Sequence, residues 1–239
     1  MIDLYFWPTP NGWKISIMLE ECGLPYNVVK TDIGRGDQFT PEFIEIGPNN
    51  KIPVIVDHDG PDGPISIFES GAILIYLAEK SGQFMPSDPK GRNEVLQWLF
   101  WQVGNIGPMA GQFGYFRNYS EEKIEHAIQR YAKEYDRCLG VMNHRLEDRE
   151  YLAGDYSIAD MATIPWTRSY DRLGVDITPF PNVKRWVDAI GKRPALTKAY
   201  EIGLDWFRNK GMPDKESRKH LFNQSADSVD QAIDKAADA

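Results

Sequence analysis

The sequence predicts an α+β domain at the N-terminus followed by an all-α domain. Before about residue 80, short β-rich runs alternate with helical ones, and after the segment Pro86-Ser87-Asp88-Pro89 nearly every periodic run is helical. A chain of 239 residues is long enough for two such domains with a sizeable core. We expect the first domain at residues 1–82, the helical domain at 90–208, and an extension at 209–239.

The first domain is predicted to have the element order βαβ followed by ββα. The apolar run Val54-Ile55-Val56 indicates a strand, and the proline at its head either occupies a sheet edge or marks a turn. This order predicts a small mixed sheet with helices on its faces. The expected strands are residues 3–7, 27–30, 54–57 and 65–68, and the expected helices are 13–21 and 70–80.

The second domain is predicted from apolar residues spaced three to four apart. Ser157 precedes one apolar run, and Asp160 can reach back to the Ser157 amide, which indicates a capping box. The polar, alanine-rich stretch from Met212 to Ala239 predicts a mobile extension that docks in part. The expected helices are 94–103, 123–146, 158–171 and 183–192, with turns at Gly107-Pro108, Gly154-Asp155 and Pro179-Phe180-Pro181.

Composition narrows the function classes. The net charge of -8 and the pI near 5.1 argue against nucleic acid or an anionic membrane as a partner. No apolar run is long enough to cross a bilayer, and the N-terminus lacks the pattern of a signal peptide. We therefore expect a cytoplasmic protein.

Cysteine and histidine spacing predicts neither a disulfide framework nor a metal site. Cys22 and Cys138 lie far apart and form no CxxC motif. The four histidines are scattered along the chain and form no ligand cluster. No metal is expected.

Two segments, Asn49-Asn50-Lys51-Ile52-Pro53-Val54 and Phe68-Glu69-Ser70-Gly71-Ala72-Ile73, indicate a site for a small peptide. A cis bond before Pro53 would leave the Ile52 backbone free to pair with an extended ligand. Ser70 and the first amides of its helix can hold a carboxylate, and Glu69 can accept from an ammonium. Alternatively, Pro53 only begins a strand and Ser70 only caps a helix.

These motifs resemble the cytosolic glutathione transferase superfamily over about residues 1–208. The resemblance rests on Lys51-Ile52-Pro53, on Glu69-Ser70 and on the capping segment that ends at Asp160. It implies the glutathione transferase fold, in which the N-terminal domain is thioredoxin-like.

The turn after the first strand, Thr9-Pro10-Asn11-Gly12, contains no thiol. Together with Gly34 to Phe39 and Leu96 to Gln102, it resembles the bacterial Nu class, whose members are similar to glutathione-dependent disulfide-bond reductases. The alternative for Thr9 and Asn11 is ordinary turn and cap chemistry.

The resemblance also implies residue roles. Thr9 and Asn11 would face the glutathione sulfur as catalytic residues. Arg130 would reach the site of a neighbouring subunit, which implies a homodimer, although from sequence alone it is an ordinary solvated helix residue. The implied binding residues for glutathione or its disulfide are Asn11, Gln38, Lys51, Ile52, Pro53, Glu69, Ser70 and Arg130.

Three functions are consistent with these residues. The first is reduction of a small disulfide by two bound glutathione molecules, since the turn has no cysteine of its own. The second is conjugation of glutathione to an electrophile, or ether cleavage by it, with the aromatic stretch from Gly107 to Phe116 as a possible pocket. The third is a non-enzymatic interaction module, which would not need the ligand-binding residues.

Overall fold

The computed structural model describes residues 1–207 and 213–237 and contains two compact units. The first unit consists of Met1–Ile73 together with the chain from Lys198 onward, and the second is Leu74–Thr197. The boundary predicted at residues 208 and 209 lies outside the described residues.

A four-stranded mixed sheet forms the centre of the first unit, as predicted. The strand order is β2-β1-β3-β4, in which β1 and β2 are parallel and the other pairs are antiparallel. Because parallel neighbours need a crossover, the helix α1 connects β1 to β2. The elements are β1 (Ile2–Phe6), α1 (Pro10–Cys22), β2 (Tyr26–Lys30), α2 (Pro41–Ile46), β3 (Val54–Asp57), β4 (Ile65–Phe68) and α3 (Ser70–Ser81).

Strand register places three chain segments at one edge of this sheet. Tyr5 of β1 pairs with Val54, the first residue of β3, and Val54 pairs with Phe68, the last residue of β4. The segment after β1, the segment before β3 and the segment after β4 therefore meet at this edge. These are the segments that the sequence singled out as a site.

The second unit is helical, as predicted. Its expected turn at Gly107-Pro108 is wrong, because these two residues begin α5. A π-helical turn precedes them, in which the Gly107 amide donates to the Gln102 carbonyl, and a proline in the first turn of a helix is tolerated. The helices are α4 (Pro89–Trp101), α5 (Gly107–Gly114), α6 (Glu125–Arg145), α7 (Ile158–Thr167), α8 (Pro181–Gly191) and α9 (Pro194–Glu201).

The predicted capping box at the start of α7 is confirmed. The Ser157 hydroxyl accepts from the Ala159 amide at 3.3 Å, and the Asp160 carboxylate accepts from the Ser157 amide at 3.1 Å. Asp160 is fully buried and also accepts from the Leu152 amide at 3.0 Å and the Trp186 indole at 2.8 Å. This carboxylate therefore ties three parts of the helical unit together.

The C-terminal extension forms helices in the described residues and packs within the first unit. These helices are α11 (Lys215–Phe222) and α12 (Ala226–Ala237), and α10 (Leu204–Phe207) precedes the extension. Helix α12 packs against α2. Over the described ranges, none of the helices combines the length and apolar character needed to traverse a bilayer.

Candidate active site

The start of α1 presents a hydroxyl group at the sheet edge. Thr9 is the N-cap residue, and its Oγ1 accepts from the Gly12 amide at 3.3 Å. A hydroxyl that accepts one hydrogen bond still has a proton to donate. The turn is tight, because a Cβ at Gly12 would lie 2.3 Å from the Trp7 carbonyl oxygen. Asn11 lies half-buried in the same helical turn.

This arrangement suits an anion such as a thiolate. The first amides of a helix and its macrodipole favour negative charge, and a neighbouring hydroxyl donor adds to that effect. Such surroundings lower the pKa of a bound thiol and raise its thiolate fraction. The cap role of Thr9 is therefore compatible with a chemical role for its proton.

The segment before β3 brings backbone groups to the same edge. The Ile52–Pro53 peptide bond is cis, Pro53 is buried and Ile52 is half-buried. Asn50 has a left-handed backbone with φ of 53° and is 2% exposed. Its buried Oδ1 has no hydrogen-bond partner in the described part of the chain, so an unmet acceptor lies beside the Ile52 backbone.

Glu69, immediately before α3, stands in a special backbone position. It has φ of 68°, which is uncommon for a residue with a side chain and costs on the order of 1 kcal/mol. Its exposed carboxylate accepts from Asn49 Nδ2 at 3.1 Å. Asn49 was not among the predicted site residues, although it begins the motif that contains Ile52-Pro53.

Ser70, the first residue of α3, is in contact with a buried lysine. Its Oγ lies 3.2 Å from Lys14 Nζ, and the two residues are 8% and 3% exposed. Burial lowers the pKa of Lys14 to about 7, and the negative charge of Glu69 opposes that shift. Sequence reasoning missed Lys14, because a lysine within a helical run gives no sign of being buried.

Gln38 lies in a short 3₁₀ turn before α2 and is 2% exposed. Its Nε2 donates to the Ile33 carbonyl at 3.2 Å, whereas its Oε1 is buried without a partner among the described residues. An acceptor of this kind is a candidate partner for a ligand amide or an ordered water.

The C-terminal extension reaches one predicted ligand residue, Lys51, and the loop that carries a second, Gln38. Lys51 Nζ donates to Gln224 Oε1 at 2.8 Å. The ring of His220 packs closely against Gly36, in the loop that carries Gln38, because a Cβ added to Gly36 would lie only 3.0 Å from the ring Nδ1. The extension thus lies against the loop of Gln38 and the side chain of Lys51, which the sequence did not indicate.

The predicted site residues fall into three groups. Thr9, Asn11, Ile52, Pro53, Glu69 and Ser70 follow or precede the paired residues at one sheet edge. Gln38 and Lys51 lie in the same unit, beside the extension. Arg130 belongs to α6 of the second unit, where it is exposed and its Nη1 lies 3.9 Å from Glu134 Oε2.

Neither cysteine lies in the turn before α1. Cys22 is the last residue of α1, and Cys138 is buried in α6, where burial raises its thiol pKa to about 11. Across residues 1–207 and 213–237, no cluster of three histidine, cysteine, aspartate or glutamate residues is arranged to hold a metal ion.

Family models match both halves of the chain. The N-terminal domain of glutathione S-transferase matches residues 9–80, and the C-terminal domain of glutathione S-transferase matches residues 106–194. Helices α11 and α12 lie beyond both matches.

Two relatives from Escherichia coli K12 are named as disulfide-bond oxidoreductases. Disulfide-bond oxidoreductase YfcG is 52% identical over 202 residues, which cover 83% of this chain and 94% of YfcG. Disulfide-bond oxidoreductase YghU is 43% identical over 211 residues, which cover 82% of this chain and 73% of YghU.

Solved structures of similar proteins contain glutathione or its disulfide. A Burkholderia graminis glutathione transferase with two glutathione molecules per subunit is 50% identical, with a TM-score of 0.79 over 85% of this chain and 88% of that chain. A Pseudomonas putida glutathione transferase with one glutathione disulfide per subunit is 45% identical, with a TM-score of 0.80 over 84% and 91%. With both domains matched and identities this high over most of its length, this chain belongs to the glutathione S-transferase family.

Proposed function

We propose that this protein is a glutathione-dependent disulfide-bond oxidoreductase of the Nu class, which acts as a cytoplasmic homodimer. The observation that carries the proposal is the start of α1, where the Thr9 hydroxyl and the helix amides meet the edge of the sheet and no cysteine is present. Relatives named as disulfide-bond oxidoreductases support the activity.

The proposed ligand is glutathione, bound by its backbone and by its γ-glutamyl end. The Ile52 backbone beside Pro53 pairs with the cysteinyl unit, as an extended peptide pairs with a strand. Glu69 accepts from the γ-glutamyl ammonium, and Ser70 donates to its carboxylate. Gln38 and Lys51 contact the rest of the tripeptide. The neighbouring subunit contributes Arg130 to the site.

The proposed reaction is thiol-disulfide exchange between bound molecules. The thiolate of one glutathione attacks a disulfide substrate, which forms a mixed disulfide and releases the first substrate thiolate. A second glutathione thiolate attacks the glutathione sulfur of that mixed disulfide, so glutathione disulfide forms and the second substrate thiolate leaves. Both electrons come from the two glutathiones, and each leaving thiolate takes up a proton from solvent.

The protein contributes position and electrostatics to this exchange. Thr9 and Asn11 stabilise the attacking thiolate, and the helix N-terminus lowers the thiol pKa. Holding two reacting sulfurs in contact replaces a bimolecular encounter.

Calorimetric titration with glutathione and with glutathione disulfide tests this proposal directly. We expect both to bind, with the disulfide bound at least as tightly because it occupies both glutathione positions at once. Turnover of a small dialkyl disulfide is expected to exceed turnover of a chloronitroaromatic. The opposite ranking would favour conjugation, and absence of binding by either ligand would favour a non-enzymatic module.

Removing the Thr9 proton is expected to slow disulfide reduction by about 10- to 100-fold, because a hydrogen bond to a charged group contributes about 1.5–3 kcal/mol. Two variants lack the proton: Thr9→Asp keeps a helix cap but adds a negative charge, and Thr9→Ala adds no charge but loses the cap. Both should be slow if the proton matters. The melting temperature of Thr9→Asp should match that of the wild type, and Thr9→Ser should retain activity. Asn11→Ala is expected to lower the rate similarly. Wild-type rates in Thr9→Asp and Asn11→Ala would remove both residues from the mechanism.

A further inference from the structure

Lys14 is a charged residue buried inside the first unit, next to the proposed γ-glutamyl position. It lies on α1, one turn beyond the Thr9 cap, and is 3% exposed. The residues of α1 from Ile15 to Leu19 are buried as well, and since they cover more than one turn, this part of the helix is enclosed on all sides. Ammonium groups are seldom placed in such surroundings without a purpose, because taking them out of water is costly.

The polarity of the Lys14–Ser70 hydrogen bond constrains Ser70. A protonated amine has only donors, so at 3.2 Å the Ser70 Oγ must be the acceptor. The Ser70 proton is then left to be donated elsewhere. Since Ser70 begins α3, its hydroxyl and the first helix amides together form a set of donors for one anion.

The positive charge of Lys14 also favours an anion at the start of α3. Its ammonium lies beside the positive end of the α3 dipole, where negative charge is favoured. The Glu69 carboxylate, which is hydrogen-bonded by Asn49, is one negative group whose field reaches Lys14. A ligand carboxylate at the start of α3 would supply a second negative partner.

We propose that Lys14 is a positioning residue for the α-carboxylate of the γ-glutamyl unit, acting through Ser70. Its ammonium fixes Ser70 as a donor toward the ligand and adds positive charge behind it. This inference rests on the proposed function, since it assumes that glutathione binds at Glu69 and Ser70. In this role the buried lysine acts on the γ-glutamyl end of the ligand, which is remote from the sulfur.

The test compares two ligands that differ by that carboxylate. One is S-methylglutathione, in which the thiol is replaced by a thioether that has no proton to lose. The other is its 4-aminobutyryl analogue, which keeps the amine but lacks the α-carboxylate. Lys14→Met is expected to weaken S-methylglutathione binding tenfold or more, as loss of a hydrogen bond that serves a charged group does. The affinity for the aminobutyryl analogue is expected to change less than twofold.

A matched control and a stability measurement separate this role from a structural one. Lys133→Met, at an exposed position of α6, removes a lysine charge far along the sequence and should leave both affinities unchanged. Lys14→Met should melt no lower than the wild type at pH 7, because it removes a buried charge. A lower melting temperature with equal losses for both ligands would make Lys14 a structural residue and overturn the inference.

The wild-type protein provides a readout that needs no variant. Its affinity for S-methylglutathione is expected to fall about tenfold between pH 6 and pH 8, because Lys14, with a pKa of about 7, loses its proton in that range. The aminobutyryl analogue should show no such fall.

The outcomes distinguish the two proposals. If neither ligand binds the wild type, the proposed function fails, and the inference with it. If S-methylglutathione binds, but with the same affinity in Lys14→Met or with the same pH profile as its analogue, only the role of Lys14 is overturned.

Discussion

Replacing Glu69 by glutamine is expected to weaken glutathione binding by about 10- to 100-fold. The proposed partner of Glu69 is the γ-glutamyl ammonium, and a hydrogen bond between charged groups contributes about 1.5–3 kcal/mol. Each 1.4 kcal/mol corresponds to about a factor of ten in affinity. Glutamine keeps the shape of the side chain and an oxygen that can still accept from Asn49, so the change removes mainly the charge.

Titration calorimetry at low ionic strength measures this loss, with Glu45→Gln as the matched control at an exposed position of α2. Asn49→Ala should produce a smaller loss of about threefold to tenfold, since it removes one hydrogen bond of 3.1 Å that orients the Glu69 carboxylate. Equal affinities in Glu69→Gln and the wild type would place the γ-glutamyl unit elsewhere.

The sequence was sufficient to predict the sheet and its edge because the signals there are local. The β-branched run at Val54 and the apolar helix after Ser70 are visible in the chain itself, and so is the cap motif at Ser157. The βαβ and ββα order predicts a mixed sheet, whereas the strand order and the register that bring the three segments together come from the structure. The helix across Gly107-Pro108 was missed, because a π-helical turn before the proline overrides the local turn signal.

The features that the sequence did not predict depend on tertiary packing. Lys14 and Asn49 become parts of the site only through contacts with Ser70 and Glu69, which are 56 and 20 residues away. The extension has too few apolar residues for their spacing to predict helices. In the structure, however, α12 packs on α2 and Gln224 contacts Lys51. Contacts of this kind are decided by burial and geometry, which periodicity does not report.

Removing the Asp160 side chain is expected to destabilise the protein by about 3–5 kcal/mol. Asp160→Ala would leave the buried Leu152 amide, the Ser157 amide and the Trp186 indole without their acceptor, and each buried unpaired donor costs about 1–3 kcal/mol. Ser157→Ala removes the cap and the hydroxyl that donates to Asp160 at 3.2 Å, but keeps the carboxylate and its other donors, and should cost about 1 kcal/mol. Chemical denaturation of the three proteins at one pH gives this ranking, and equal midpoints would contradict it.

The pH dependence of stability provides a second test of Asp160. Burial raises its pKa to about 6, and the hydrogen bonds from Leu152, Trp186 and Ser157 only partly oppose this effect. In the unfolded chain an aspartate has a pKa of about 3.9, so between these values the folded state binds more protons than the unfolded state. The stabilising contribution of the proton is complete below about pH 4 and is lost as the pH rises through 6.

A difference of about two pKa units corresponds to roughly 3 kcal/mol. We therefore expect the unfolding free energy of the wild type to fall by that order between pH 4 and pH 7 relative to Asp160→Asn, which cannot titrate at this position. All other ionisable groups are common to the two proteins, so the difference between their denaturation curves isolates one carboxyl group. Parallel curves over this range would mean that the hydrogen-bond donors around Asp160 hold its pKa near the unfolded value.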